Sequence, residues 1–340
     1  MDSAILAEVT RGGITESVHR GIIAVVDAAG RNIAWAGNPT ELTFMRSGAK
    51  PLQALTVLET GAAERFGLIP EELALMMASH SGEDEHVRIG RQLMSKLGLD
   101  ETTLQCGTHT PLHKETANRL KAAGQAPGVY HCVCSGKHGG MLAVAKHLGF
   151  SVEGYFLPEH PVQRLMLETI ADLAGLPVSA IRRGSDGCGV PVFGMPVETM
   201  AYMYARWADP SSLETPRQKA CYALQEAMIG YPRVIAGTGR FTTHLLQETG
   251  RKFLAKDGNE GIFCVGVPEK GWGIVLKIED GSARAVNPVI IETLRQLDLL
   301  TEEEYARLSR QARPELYNYR KETVGEIRPV FRLARQGKDT

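Results

Sequence analysis

Strand-forming sequence stands at both ends of this chain and helix-forming sequence fills its middle, and no other feature limits the fold as much. Ile22, Ile23, Val25 and Val26 run into the turn Asp27-Ala28-Ala29-Gly30, and Ile33 to Trp35 return, so residues 19 to 37 read as a β-hairpin. The strand pattern comes back only after 250, in Lys252 to Ala255, Ile262 to Val267 and Gly273 to Ile278, before a helix through Ile290, Ile291, Leu294 and Leu297. Between these ends Leu52, Leu55 and Leu58 recur at helical spacing as far as Gly61, and Pro70-Glu71-Glu72 opens a short helix ending near Met77. Ser81-Gly82-Glu83-Asp84 offers a capping box for a third helix carrying Val87, Leu93, Met94 and Leu97, and Pro161 and Pro196 each fit the first turn of a core-facing helix. Strands at the ends with helices between predict an α+β fold, an antiparallel sheet flanked by helices plus a helical lobe. The expected division of this single unit places residues 1–65 and 235–340 in the sheet-containing lobe and 66–234 in the mainly helical one.

Charge narrows the partners. Thirty-eight basic residues nearly cancel thirty-nine acidic ones, for a formal charge of −1, so no global field recruits nucleic acid or an anionic membrane, and a small molecule is the expected partner. The opening residues, Met1 to Glu8, lack the basic region and apolar run of a secretory signal, and no stretch of about 18 apolar residues follows, which predicts a cytoplasmic protein. Six cysteines in 340 residues are too few for a disulfide framework and suit thiols, metal ligands or core positions.

Chemistry enters at Arg46-Ser47-Gly48-Ala49-Lys50-Pro51. Ser47 and Lys50 stand three apart at a helix start, on one face, where a desolvated lysine that has lost its proton can take the proton of a serine. This S-x-x-K spacing is the nucleophile unit of serine β-lactamases and penicillin-binding proteins, and Lys256-Asp257-Gly258 after a predicted strand occupies the place of their K-T-G element, with aspartate for threonine. Ser79 and His80 lie in the polar loop Ala78-Ser79-His80-Ser81, and Arg46 is placed to meet a carboxylate, the substrate's or that of Asp186. Two glycine-rich stretches, Cys134 to Gly140 and Ser185 to Pro191, read as turns able to line a site. Their donor types nominate Cys132, Cys134, Cys188 and His138 for a tetrahedral zinc. Cys106, Cys221 and Cys264 read as core or incidental thiols.

Taken in order, Arg46 to Pro51, Ala78 to Glu83, Cys134-Ser135-Gly136-Lys137-His138, Asp186-Gly187-Cys188 and Ala255-Lys256-Asp257-Gly258 resemble the motif set of the rhizobial-type L-asparaginases, the asparaginase II family. Arg11-Gly12-Gly13 and Val275 to Gly281 extend the likeness over nearly the whole chain. The resemblance implies a serine β-lactamase/glutaminase-like fold and hydrolysis of L-asparagine to L-aspartate and ammonia. It implies catalytic roles for Ser47 with Lys50 and for Ser79 with Lys256, and substrate-binding roles for Arg46, His80 and Asp186. It also implies a zinc ion on Cys134, Lys137 and Cys188 beside the pocket, and a homodimer. Cys132, two residues from a proposed ligand, leaves the choice between Cys132 and Cys134 open. The competing expectations are another serine amidohydrolase of this fold (a glutaminase, or a β-lactam or peptide hydrolase), a zinc-binding relative without turnover, and a zinc hydrolase proper.

Overall fold

The computed structural model describes residues 1–336. They divide into two compact units, one made of Met1–Gly48, Met195–Asp209 and the chain from Leu245, the other of Ala49–Gly194 and Pro210–His244. The first boundary thus falls at Gly48, where the expected one lay near 65, and the helix Val197–Ala208 goes with the sheet. Among the described residues no helix is long and apolar enough to cross a membrane.

The first unit is built on a nine-stranded antiparallel sheet. Its main path runs Glu315–Tyr317, Thr323–Pro329, Ala4–Arg11, Ile14–Asp27, Trp272–Ile278, Ile262–Val267, Leu254–Gly258. Asn32–Ala36 pairs with Ile14–Asp27, completing the expected hairpin, and Ala334–Arg335 pairs with Asn32–Ala36. The run from Gly21 to Val26 is buried on both faces because Val197–Ala208 packs on one side of the central strands, and a strand so placed reads as continuous rather than alternating apolar sequence.

In the second unit the helix Lys50–Glu59 is central. Pro51 fits its first turn and Gly61, at φ +82°, follows its end. Helices Pro70–Met77, Ser135–His147, Pro161–Ala174 and Thr215–Gly230 surround it, so burial extends all round rather than along one stripe. Leu52 and Leu55 are fully buried, worth roughly 2–3 kcal/mol each in transfer free energy, and a buried hydrogen bond of 3.1 Å joins Thr56 Oγ1 to Thr169 Oγ1.

Two local expectations are corrected here. The stretch Cys134 to Gly140 is not a turn: Cys134 is the N-cap of Ser135–His147, and its glycines are helical. A Cβ on Gly136 would come within 2.0 Å of the Leu75 carbonyl oxygen and one on Gly139 within 2.6 Å of Leu93, so glycine serves close helix packing rather than a positive φ. The helix Asp84–Lys96 is capped at Glu83, whose N–H donates to His86 Nδ1, and Ser81 instead donates to the Glu83 carboxylate at 2.6 Å. Ser185 to Pro191 does contain a turn, joining the paired strands Arg182–Ser185 and Pro191–Pro196.

Candidate active site

Lys50, the first residue of the central helix, is 1% exposed. Its Nζ donates to Ala78 O at 2.6 Å, Ser79 Oγ at 3.0 Å and Val133 O at 3.1 Å, which matches the three donors of an ammonium to three acceptors. In the neutral form one of those positions holds a lone pair, and toward Ser79 it would accept the hydroxyl proton instead. Ser79 is buried in the irregular stretch between two helices, and its N–H donates to Ile235 O at 3.0 Å. The helical unit therefore contains a complete serine–lysine pair, Ser79 with Lys50, between residues the sequence assigned to different pairs.

The rest of the 78–83 stretch is fixed by buried polar contacts. His80 Nδ1 accepts from Gly82 N–H at 3.2 Å, which leaves Nε2–H to donate to Ser135 Oγ at 2.9 Å, and its ring stacks on His86 with centroids 4.7 Å apart. Burial, then the neighbouring His86 and Lys50, hold its pKa well below the ordinary histidine value, so His80 is a neutral donor. Glu83 accepts from Ser81, from Thr238 N–H at 2.7 Å and from Thr238 Oγ1 at 2.7 Å. Burial raises its pKa, but these hydrogen bonds outweigh it and bring the carboxyl down to about 2. Thr238 was not singled out in the sequence and Glu83 entered there only within a capping box and a motif, since no spacing joins the two.

A second cluster lies within the same unit. One ligand atom from each of Cys134, Asp186 and Cys188 falls within 4.8 Å of the others, and Lys137 Nζ donates to Asp186 Oδ2 at 3.3 Å. Lys137 is buried; desolvation lowers its pKa, but Cys134, Cys188 and Asp186 more than reverse this and leave it raised. Hydrogen bonds from the thiols of Cys132 and Cys188 hold Cys134 well below the ordinary thiol value. Cys188 is raised, first by that hydrogen bond to Cys134 and then by burial. Asp186, pushed up by burial, is brought below its ordinary value by Lys137. Two thiols and a carboxylate converge here, donors of the kind zinc takes, and the Lys137 ammonium stands against the carboxylate.

His138 is not among these converging donors. Its Nδ1 meets Tyr155 Oη at 2.6 Å, its Nε2 has no hydrogen-bond partner among the described residues, and burial first, then the positive Lys137, brings its pKa down to about 3. Tyr155 Oη also accepts from Gln105 N–H at 2.9 Å. Cys132 stands two residues before Cys134, with its Sγ 3.5 Å from the backbone oxygen of Cys106.

The sheet-bearing unit holds the remaining expected residues. Ser47 lies in the 3-10 turn Arg46–Ala49, half-buried, after an arginine at φ +50°. Tyr204 Oη donates to Gly48 O at 2.7 Å, and a Cβ on Gly48 would meet Cys264 Sγ at 2.7 Å, so Tyr204 and Cys264 fix the turn that presents Ser47. Arg46 reaches Glu260 at 3.9 Å. Lys256, fully buried on strand Leu254–Gly258, donates to Asp257 Oδ1 at 2.8 Å and Asp257 O at 2.7 Å, which gives the aspartate in place of threonine a local partner.

No curated protein matches the chain in sequence. Among solved structures it is similar to a beta-lactamase from Mycobacterium bovis, with 14% identity, a TM-score of 0.44, and coverage of 86% of this chain and 95% of that one. It is also similar to a Bacillus glutaminase, with 14% identity, a TM-score of 0.39, and coverage of 82% of this chain and 91% of that one. The family model described as L-asparaginase II matches residues 7–329. That match takes in every expected site residue, and the chain belongs to the L-asparaginase II family, hydrolases that act on the amide of a small molecule.

Proposed function

We propose that the protein hydrolyses L-asparagine to L-aspartate and ammonia through a serine acyl-enzyme. Ser47 Oγ attacks the side-chain amide carbon, Lys50 takes the serine proton and returns it to the departing ammonia, and water then cleaves the ester. The Ser47 N–H at the helix start supplies part of the oxyanion stabilisation. Ser79 and Lys256 act as the second serine–lysine pair, with Arg46, His80 and Asp186 assigned to the substrate. The observation that carries this reading is the family match over residues 7–329, which takes in Ser47 and Lys50; the Lys50 amine itself is buried and meets the hydroxyl of Ser79 at 3.0 Å.

That 3.0 Å contact favours a second reading, in which Ser79 is the nucleophile and Lys50 its base. The two readings separate in the Ser47→Ala and Ser79→Ala variants, since only loss of the nucleophile abolishes acyl-enzyme formation.

Zinc belongs to the proposal. Cys134, Lys137 and Cys188 would hold it, and the Asp186 carboxylate, assigned to the substrate, lies within the same 4.8 Å group as the two thiols. Lys137 ligates only after losing its proton, which a bound metal can drive. When bound, the ion supplies a fixed positive charge that orients a polar group of the substrate, and thiolate donors make it a poor generator of hydroxide. Cytoplasmic location and a homodimer complete the reading, the latter open to sedimentation. The test is ammonia release from L-asparagine and L-glutamine side by side, with and without chelator. Release from asparagine in clear preference supports the proposal; preference for glutamine makes the protein a glutaminase, and release from neither overturns amide hydrolysis of these substrates.

A further inference from the structure

The turn that leads into the helix Ser135–His147 closes on itself at three points. His131 N–H donates to Gly128 O at 3.0 Å, Cys132 N–H to Val129 O at 3.0 Å and Ser135 N–H to Cys132 O at 2.9 Å. Val133 N–H is met from outside the turn, by His109 Nε2 at 3.0 Å. A backbone N–H only donates, so Nε2 is the acceptor and the ring proton sits on Nδ1, which donates to Thr110 O at 2.8 Å. His109 is half-buried in the stretch 104–113, outside regular helix and strand. That stretch is tied down on either side of it, Gln105 N–H donating to Tyr155 Oη at 2.9 Å and His113 N–H to Ser81 O at 2.9 Å.

We propose that His109 is a positioning residue for Lys50: its imidazole holds the Val133 turn, and with it the carbonyl that helps aim the Lys50 amine at a serine. Val133 O accepts from Lys50 Nζ at 3.1 Å. The other two acceptors of that amine, Ala78 O and Ser79 Oγ, are neighbours in the 78–83 stretch, so Val133 O alone of the three comes from another part of the chain. A lysine amine turns about its last bond and rides on a flexible stem, so the places of its acceptors set its direction. The inference rests on Lys50 as the base of the proposed reaction, and it holds whichever of Ser47 and Ser79 is the nucleophile.

Leucine in place of His109 fills similar space but leaves Val133 N–H without its acceptor. An unmet N–H away from water is unfavourable, so the turn shifts to find a partner and carries the Val133 carbonyl with it. Glutamine reaches far enough to put its amide oxygen where Nε2 stands and accepts from the same N–H. Val133 is followed directly by Cys134, which gives a displaced turn two routes to activity, through Lys50 and through the cysteine cluster. The routes differ in kinetics. A misdirected base lowers kcat with KM held, whereas loss of the metal proposed above raises KM more than it lowers kcat.

The experiment compares ammonia release by the full-length wild type, His109→Leu, His109→Gln and Lys50→Arg, with folding checked by circular dichroism and zinc measured in each protein. The expected result is a kcat about tenfold lower in His109→Leu, with KM within about twofold of wild type and zinc content unchanged. His109→Gln should restore kcat to within about twofold of wild type. A crystal structure of His109→Leu should show Lys50 Nζ and Val133 O beyond hydrogen-bond distance. If His109→Leu does not fold, His109→Ala carries the same expectations. Wild-type kcat in His109→Leu, equal losses in the two His109 variants, or a raised KM with zinc lost and kcat held would each overturn the inference and leave the proposed reaction standing. Turnover by Lys50→Arg, or none by the wild type on asparagine or glutamine, would instead remove Lys50 as base and the inference with it.

Discussion

Glu83→Gln should destabilise the protein by about 2 kcal/mol near neutral pH and by almost nothing near pH 2. Glutamine keeps the length of the side chain and an acceptor for Ser81 and for Thr238 N–H, so what it removes is the charge. The carboxyl sits at about 2 where its ordinary value is 4.5. Taken whole, such a shift corresponds to about 3 kcal/mol by linkage; Arg233, 3.8 Å away and half exposed, admits solvent screening and brings the expectation to about 2 kcal/mol. Because the folded pKa is depressed, this contribution is fully present above about pH 4.5 and is lost as the pH falls through about 2. Urea unfolding of both proteins between pH 7 and pH 2 measures the gap, provided the m-values agree. A gap that stays constant across this range, or none at pH 7, would refute the reasoning. The variant also bears on the site, since Glu83 anchors one end of the stretch that carries Ser79.

Further outcomes follow from other parts of the structure. Gly136→Ala should destabilise by about 1–3 kcal/mol or more in thermal or urea melts, because the added carbon meets the Leu75 backbone, which cannot give way as a side chain can; an unchanged or raised stability would contradict the packing role. Cys188→Ala should lower bound zinc by metal analysis and raise KM more than it lowers kcat; a collapse of kcat with KM held would put the metal in the chemistry. Lys50→Arg should leave a folded, inactive protein, since a guanidinium cannot accept the serine proton at any useful pH; measurable turnover would remove Lys50 as base.

How much was legible depends on how far apart the interacting groups lie in the chain. Leu52, Leu55 and Leu58 announced the central helix, and Pro70 and Pro161 marked helix starts, because these signals are local. The Cys134 to Gly140 stretch misled because composition cannot separate a glycine needed for positive φ from one needed for close approach, and Leu75, which decides the matter, is far upstream. The Ser81 cap failed for a subtler reason: Glu83 takes the Ser81 hydroxyl for its own network and caps the helix through His86. The donor types of Cys134, Cys188 and His138 were equally suggestive in sequence, yet Tyr155 engages His138, and no periodicity connects them. Nor does any spacing connect Lys50 with Ser79, or Cys106 with Cys132, contacts that exist only once the helices have packed.

The central claim, amide hydrolysis by a serine nucleophile at Ser47, is tested most directly by the turnover of L-asparagine in Ser47→Ala. Ammonia release is followed at saturating substrate, with folding checked by circular dichroism and zinc content matched to wild type. The account predicts turnover at background in Ser47→Ala and no acyl-enzyme on rapid acid quench. Retention of more than about a tenth of wild-type kcat, a loss of under roughly 1.4 kcal/mol in barrier terms, would contradict it and transfer the role to Ser79.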